Sequence, residues 1–333
     1  MADFTVAMRN LFHLGAYQHV INQLSTAASN TQSPDTLDQQ CLLYRAYVAQ
    51  GKYNLVLTDI AADSANVPLE LKAIRTLAAL LQFQQQQQLP SRADLALQQH
   101  AASEGQAPPQ LSVEALEQTE QNILTQVQSY MEEPVNLLNP KIVVPVATLL
   151  DRLGQLEGAL RTLAHQPKDL ECVALTVQIL LTINRTDLAQ REVTAIKTWA
   201  EDDSLAQLIE AWVHLRLGGS KYREALYIFE ELAQASPVPT LKLLNSQAIC
   251  NLHLGRLPEA ESCLLEALNK DSNDPDTLVN MLICANLLQK PLEVRNRYLN
   301  QLRDVAPAHP FLHTLEQREA LFHHCATAVT GGC

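Results

Sequence analysis

His323, His324 and Cys325 stand together near the C-terminus, and imidazoles with a thiolate form a zinc-binding set. A tetrahedral site needs four such ligands, and no C-x-x-C pair or second His pair accompanies these three, so they read as a polar helix end. His309 and His313 have the i, i+4 spacing of paired ligands on a helix, but Pro310 directly after the first His predicts a turn or helix start instead. The run Asp271-Ser-Asn-Asp-Pro-Asp276 opens like a calcium loop. Its sixth position is Asp276 where the loop needs Gly, and its twelfth is Leu282 where the ion needs Glu, so it reads as an acidic turn between helices. Asn184-Arg-Thr186 fits a glycosylation acceptor, yet Met1–Met8 carries Asp3 and lacks a basic flank before an apolar block, so no secretory signal is expected. Cys333 closes the chain after Gly331-Gly332, whereas a prenylated Cys is followed by three residues. No nucleophile elbow or phosphate-cradling glycine loop occurs, and Gly218-Gly219 reads as a turn. No catalytic, cofactor-binding or metal-binding residue is expected, and no enzymatic activity.

The elements that would position any side chain here are helices. Hydrophobic residues make up 47% of the 333 residues and charged residues 18%, enough apolar material for a packed core. Gly occurs only 10 times and most Pro fall between apolar runs, which argues against a sheet-rich protein with many tight turns. The formal charge is −12, shared by both halves, which disfavours unaided binding to nucleic acid or anionic lipid. No apolar run is long enough to span a membrane, so a cytoplasmic protein is expected. The seven cysteines lie mostly inside apolar runs and read as reduced core thiols.

Seven segments share one internal pattern, a helix-breaking turn residue followed about five positions later by a small residue. The turn residues are Gly15, Gly51, Gly154, Asn184, Gly218, Gly255 and Gln289, spaced by 36, 103, 30, 34, 37 and 34. The small residues Val20, Val56, Ala159, Ala189, Ala225, Ala260 and Val294 keep the same beat. This is a tetratricopeptide-like period, in which a left-handed cap ends the first helix and the small residue lets the second approach it closely. Phe229, Leu264 and Tyr298, each four positions after the small residue, should fill the core, and Pro237, Pro275 and Pro307 should stop second helices. The fold class expected is all-α, a tetratricopeptide-like helix–turn–helix repeat solenoid.

The gap of 103 is close to three periods, which predicts two degenerate repeats between Gly51 and Gly154. Apolar residues three or four apart predict helices over Glu70–Gln88 and Leu111–Glu133, with Gln84–Gln88 as a solvated helix end and Gly105–Gln110 as a loop. The expected organisation is N-terminal repeats over 1–65, degenerate repeats over 66–140, C-terminal repeats over 141–325 and a disordered tail over 326–333.

Certain blocks are far more specific than the repeat. AWVHLRLGGSKYREALYIFEELA (211–233), the stretch from LLNSQAICNLHLGRLPEAE through NRYLNQL (243–302) and AHPF (308–311) resemble the coatomer epsilon-subunit family. LFHLGAYQHVIN (11–22), LYRAYVAQGKYNLVL (43–57) and LECVALTVQILLTINRTDLAQ (170–190) share that resemblance, which extends over about residues 4–320 and departs at Gln82–Pro109 and in the tail. The resemblance implies a helical repeat arch that binds the C-terminal domain of the coatomer alpha subunit and stabilises it with the remaining subunits of the heptameric coat. It also implies peripheral association with Golgi membranes through that coat, which an Arf-type GTPase recruits, and a part in Golgi-to-ER retrograde and intra-Golgi transport.

Counting from each turn places Gln178, Leu208, Trp212, Asn245, Ile249 and Ile283 on the inner positions of first helices, where a partner would lie. They are too apolar and too poor in Lys and Arg for the carboxylate clamp of a tetratricopeptide cochaperone, the alternative peptide-binding scaffold, and they suit a large folded partner. Trp212 is the expected anchor, with burial in the helix pair's own core as its alternative.

Overall fold

The computed structural model describes residues 2–28, 36–60, 67–86, 110–235 and 239–330. Among the described residues the regular structure is entirely helical. The N-terminal helices are α1 (Ala2–His13), α2 (Tyr17–Ala28), α3 (Thr36–Ala49), α4 (Tyr53–Asp59), α5 (Leu69–Gln86) and α6 (Gln110–Met131). After a 3₁₀ turn at Asn136–Leu138 come α7 (Pro140–Arg152), α8 (Leu156–Leu163), α9 (Leu170–Thr182), α10 (Thr186–Ile196), α11 (Ser204–Leu217) and α12 (Lys221–Ala235). The chain continues with α13 (Leu241–His253), α14 (Leu257–Lys270), α15 (Pro275–Leu287), α16 (Leu292–Val305) and α17 (Pro310–Thr330).

Two kinds of helix start alternate, and local sequence explains both. Four first helices begin on Asx caps, where Asn139, Asp169, Asp203 and Asp274 accept from the backbone N–H of Lys141, Cys172, Leu205 and Thr277, and α13 begins on Thr240, whose hydroxyl accepts from Leu243 N–H at 3.4 Å. Second helices begin directly behind a residue of positive φ, and all seven turn residues read from the sequence have it, including non-glycine Asn184 at 60° and Gln289 at 53°. Six of these turns carry the paired main-chain bonds of a Schellman cap, for example Arg185 N–H to Leu180 O at 2.8 Å with Asn184 N–H to Leu181 O at 3.2 Å. The double-glycine turn differs. Gly218 bonds back to His214 O at 3.0 Å, and Gly219 also takes positive φ, so this turn is longer before α12 begins.

Six of the seven small residues, from Val20 to Ala260, are fully buried, and Val294 is half-buried. Phe229, Leu264 and Tyr298 are buried as expected from their i+4 positions. Pro275 departs from expectation: it opens α15 at the first helical position, where its missing N–H costs nothing, after α14 has already ended at Lys270. Pro307 follows α16 in a turn, and Pro237 lies outside the described residues.

The chain forms two compact units, with the boundary inside α13 between Leu243 and Leu244. This differs from the expected divisions at 65 and 140. In the first unit Ile74 and Ala78 of α5, Val127 of α6, Leu149 of α7 and Ile179 of α9 share one core cluster, so α5 and α6, which lie within the 66–140 stretch, belong to that core. Its helices α5 and α6, at 18 and 22 residues, are longer than any of α7–α16, which is why the beat is lost there. A smaller cluster of Met8, Val20, Leu24, Leu42 and Ala46 joins α1, α2 and α3. In the second unit Ala248, Ala260, Leu264, Leu278, Leu302 and Leu312 form the core. The expected loop at Gly105–Gln110 falls outside the described residues except for Gln110, which opens α6; of the expected helix end at Gln84–Gln88, Gln84–Gln86 close α5, and Gln87 and Gln88 lie outside the described residues. The tail expected to be disordered from Ala326 is helical through Thr330, and 331–333 lie outside the described residues.

Candidate partner-binding site

The Asx caps at Asp169 and Asp203 set α9 and α11 side by side as neighbouring first helices of the first unit. Val177, Ile179 and Leu180 of α9 and Ile209, Ala211 and Val213 of α11 turn inward and are buried. The opposite positions, Gln178, Leu181 and Thr182 on α9 with Trp212 and Arg216 on α11, are left at the surface at i, i+3 and i+4 spacings. Together with Lys242 these five side chains line a hollow of about 660 Å³. None of the six lining residues is acidic.

Neighbouring side chains hold the two cations of the hollow in position. The Arg216 guanidinium donates to the Asn184 side-chain carbonyl, which the Schellman turn after α9 presents. Lys242 Nζ donates to the Tyr17 hydroxyl at 2.5 Å and lies 5.0 Å from that ring's centroid. Lys242 is brought there by the N-terminal hairpin: the buried Thr240 hydroxyl donates to Leu14 O at 2.6 Å, across 226 residues of chain. Gly15 sits under the Lys242 stem, and a Cβ there would stand 3.2 Å from Lys242 Cδ.

The same hairpin is tied to α9 by charge. Glu171 accepts from Arg45 Nη1 at 2.7 Å, and His13 Nε2 and Arg9 Nε stand 3.3 and 3.8 Å from its other oxygen. Burial pushes the Glu171 carboxyl pKa up, but the adjacent Arg45 and the nearby His13 imidazole outweigh burial and hold it well below the usual carboxylate range. A smaller cavity of about 240 Å³ adjoins this cluster, where Arg9, Arg45 and Lys141 face Asp38, Asp169 and Glu171. Its three cations and three carboxylates balance, and Lys141 is paired with Asp38.

The residues expected to bind a partner are placed unevenly. Gln178 and Trp212 share the hollow. Leu208 is buried. In the second unit Asn245 is buried and donates to Thr277 Oγ1 at 2.8 Å, which ties α13 to the cap of α15. Ile249 is half-buried and Ile283 is 37% exposed. Counting from the turns missed Arg216 and Lys242. Arg216 was legible as one helical turn beyond Trp212, whereas Lys242 had no local signal because the distant Leu14 and Tyr17 place it.

The other candidate groups are local structure. His309 Nδ1 accepts from Phe311 N–H at 3.2 Å at the start of α17, and His313 pairs with Gln317 at 3.0 Å. Asp271 accepts from Asn273 N–H at 2.9 Å, and Asp274 caps α15, so the acidic run is the expected turn between helices. Cys41, Cys172, Cys250 and Cys284 are buried, and burial pushes the Cys41 thiol up to about 12. Among the described residues no His, Cys, Asp and Glu cluster could hold a metal ion, and no helix is long and apolar enough to cross a membrane.

The solenoid is similar to solved structures of the tetratricopeptide kind. A tetratricopeptide repeat protein from Parabacteroides merdae aligns at a TM-score of 0.50 and 14% identity over 87% of this chain and 93% of its own. A chain of the APC/C hetero-tetramer Cut9-Hcn1 aligns at 0.58 and 14% identity, over 94% of this chain and 54% of its own. Sequence relationships are more specific. Coatomer subunit epsilon-1 of Arabidopsis thaliana is 31% identical over 92% of this chain and 90% of its own. Coatomer subunit epsilon-1 of Oryza sativa subsp. japonica is 31% identical over 98% of both chains, and coatomer subunit epsilon of Dictyostelium discoideum 29% over 96% of both. The family model described as coatomer epsilon subunit matches residues 1–104 and 84–330, and the chain therefore belongs to the coatomer epsilon subunit family.

Proposed function

We propose that this chain is a non-enzymatic structural subunit of the coatomer coat that binds and stabilises the C-terminal domain of the alpha subunit. Through that contact it joins the remaining coatomer subunits, associates peripherally with Golgi membranes from the cytoplasm, and supports Golgi-to-ER retrograde and intra-Golgi transport. The carrying observation is the match to an epsilon subunit along 98% of both chains. The hollow between α9 and α11 supports a binding role, because a half-buried Trp beside fixed polar groups is the composition of an interface anchor. Within the second unit, Ile249 and Ile283 are proposed as partner contacts on its first helices, supported from within by the buried Asn245, while the buried Leu208 supports the hollow of the first unit. Affinity capture of the tagged full chain from cytosol, followed by mass spectrometry, tests the assignment. Recovery of a coatomer set led by the alpha subunit is expected. Recovery of chaperones in place of coat subunits would favour the cochaperone reading, for which the cations Arg216 and Lys242 are the one structural argument.

A further inference from the structure

We infer that the hollow of the first unit receives a carboxylate-bearing segment of the protein partner, with the carboxylate between Arg216 and Lys242 and an adjacent apolar side chain against Trp212. This inference rests on the partner-binding role proposed above and specifies the chemistry that the bound segment must carry.

Charge is the first argument. The chain as a whole carries −12, yet the hollow presents two cations and no acid among its lining residues. A local reversal of sign steers and orients a complementary anion, and a single carboxylate on a protein segment meets it without the extended negative surface of a lipid bilayer or nucleic acid, which the overall charge repels. The second argument is chemical form. Arg216 offers a planar fork suited to a carboxylate, Gln178 adds an amide donor, and Lys242 adds a point charge. Leu181 and Trp212 supply apolar wall next to these donors, so an acidic residue beside an apolar one is matched on both sides. The third argument is pre-organisation. Asn184 holds the Arg216 guanidinium, and Tyr17 holds the Lys242 ammonium by a hydrogen bond and by its ring, so little side-chain freedom remains to be lost on binding.

The test measures the dissociation constant of the C-terminal domain of the alpha subunit for the full chain and for Arg216→Gln, Lys242→Gln and Arg161→Gln. Arg161 is an exposed cation paired with Glu157 outside the hollow and serves as the control. Arg216→Gln and Lys242→Gln should each weaken binding by about five- to tenfold, and the loss should shrink at about 0.5 M salt, where charge pairs are screened. Arg161→Gln should stay within about twofold. Replacing the partner's Asp and Glu residues one at a time should find one whose loss equals that of Arg216→Gln and adds nothing to it in combination. Helicity and melting point are checked for each variant; should Lys242→Gln lose stability with its Tyr17 contact, Arg216→Gln alone decides. Wild-type binding with Arg216→Gln within about twofold, or with a loss matched by Arg161→Gln, overturns the inference and leaves the proposed function standing. Absence of wild-type binding to the alpha domain overturns the proposed function, and the inference falls with it.

Discussion

Glu171 of α9 accepts a hydrogen bond of 2.7 Å from Arg45 of α3, a residue 126 positions earlier in the chain. His13 of α1 joins the same carboxylate at 3.3 Å, so one acidic group ties the N-terminal helices to the middle of the first unit. Glu171→Gln should therefore destabilise the chain by about 3 kcal/mol at neutral pH, because removing one partner leaves a partly buried cation without its counter-charge. Chemical denaturation monitored by circular dichroism measures this, and an unchanged midpoint would show that the ion pair is not holding the hairpin.

The same carboxylate sets part of the acid limb of stability. Its pKa is depressed on folding, so its contribution is fully present above the unfolded value of about 4.3 and is lost as pH falls below it toward the folded value. The stability gap between wild type and Glu171→Gln should accordingly be widest near pH 7 and should narrow at about pH 3. Parallel stability curves across that range would assign the acid sensitivity to other groups.

The turn at Gln289 offers a gain in stability. Its φ of 53° is left-handed, and a side chain there is strained by about 1–2 kcal/mol, part of which Gly returns as conformational entropy of the unfolded chain. Gln289→Gly should stabilise by about 0.5 kcal/mol. Asn184→Gly should gain less, since Asn184 also accepts from Arg216. A pair of thermal melts compares the two, and a lower melting point for Gln289→Gly would remove strain from the description of this turn.

Ala260 is fully buried within the core of the second unit, among Ala248, Leu264, Leu278 and Tyr298. Ala260→Leu should cost about 1–3 kcal/mol through overpacking. Equal unfolding midpoints for the two proteins would mean that α13 and α14 do not approach as closely as the core requires.

The repeat frame was legible because its signals are local. A Schellman cap is decided within six residues, so Asn184 and Gln289 could be placed in the same role as the glycines from spacing alone. Ala159, Ala189, Ala225 and Ala260 were legible for the same reason, as the small residue a fixed distance beyond the cap. What depends on distant chain was not legible. Nothing near Glu171 names Arg45, nothing near Lys242 names Tyr17, and the core shared by α5, α6 and α9 follows from no short pattern. Within the candidate site, counting along first helices reached Trp212 and Gln178. It did not separate surface from interior for Leu208 and Asn245, because burial depends on which neighbouring helix covers each face. Pro275 shows the ambiguity of a breaker residue, which can end one helix or open the next.

The most direct measurement is a calorimetric titration of the C-terminal domain of the alpha subunit into the wild-type chain and into Trp212→Ala, with melting curves recorded for both. Trp212 is half-buried and lines the hollow, and in the proposed role of partner anchor it should contribute about 2 kcal/mol or more to binding. Trp212→Ala should bind at least about tenfold more weakly while helicity and melting point are retained. Equal affinities, or a loss of fold together with binding, would contradict the placement of the partner in this hollow.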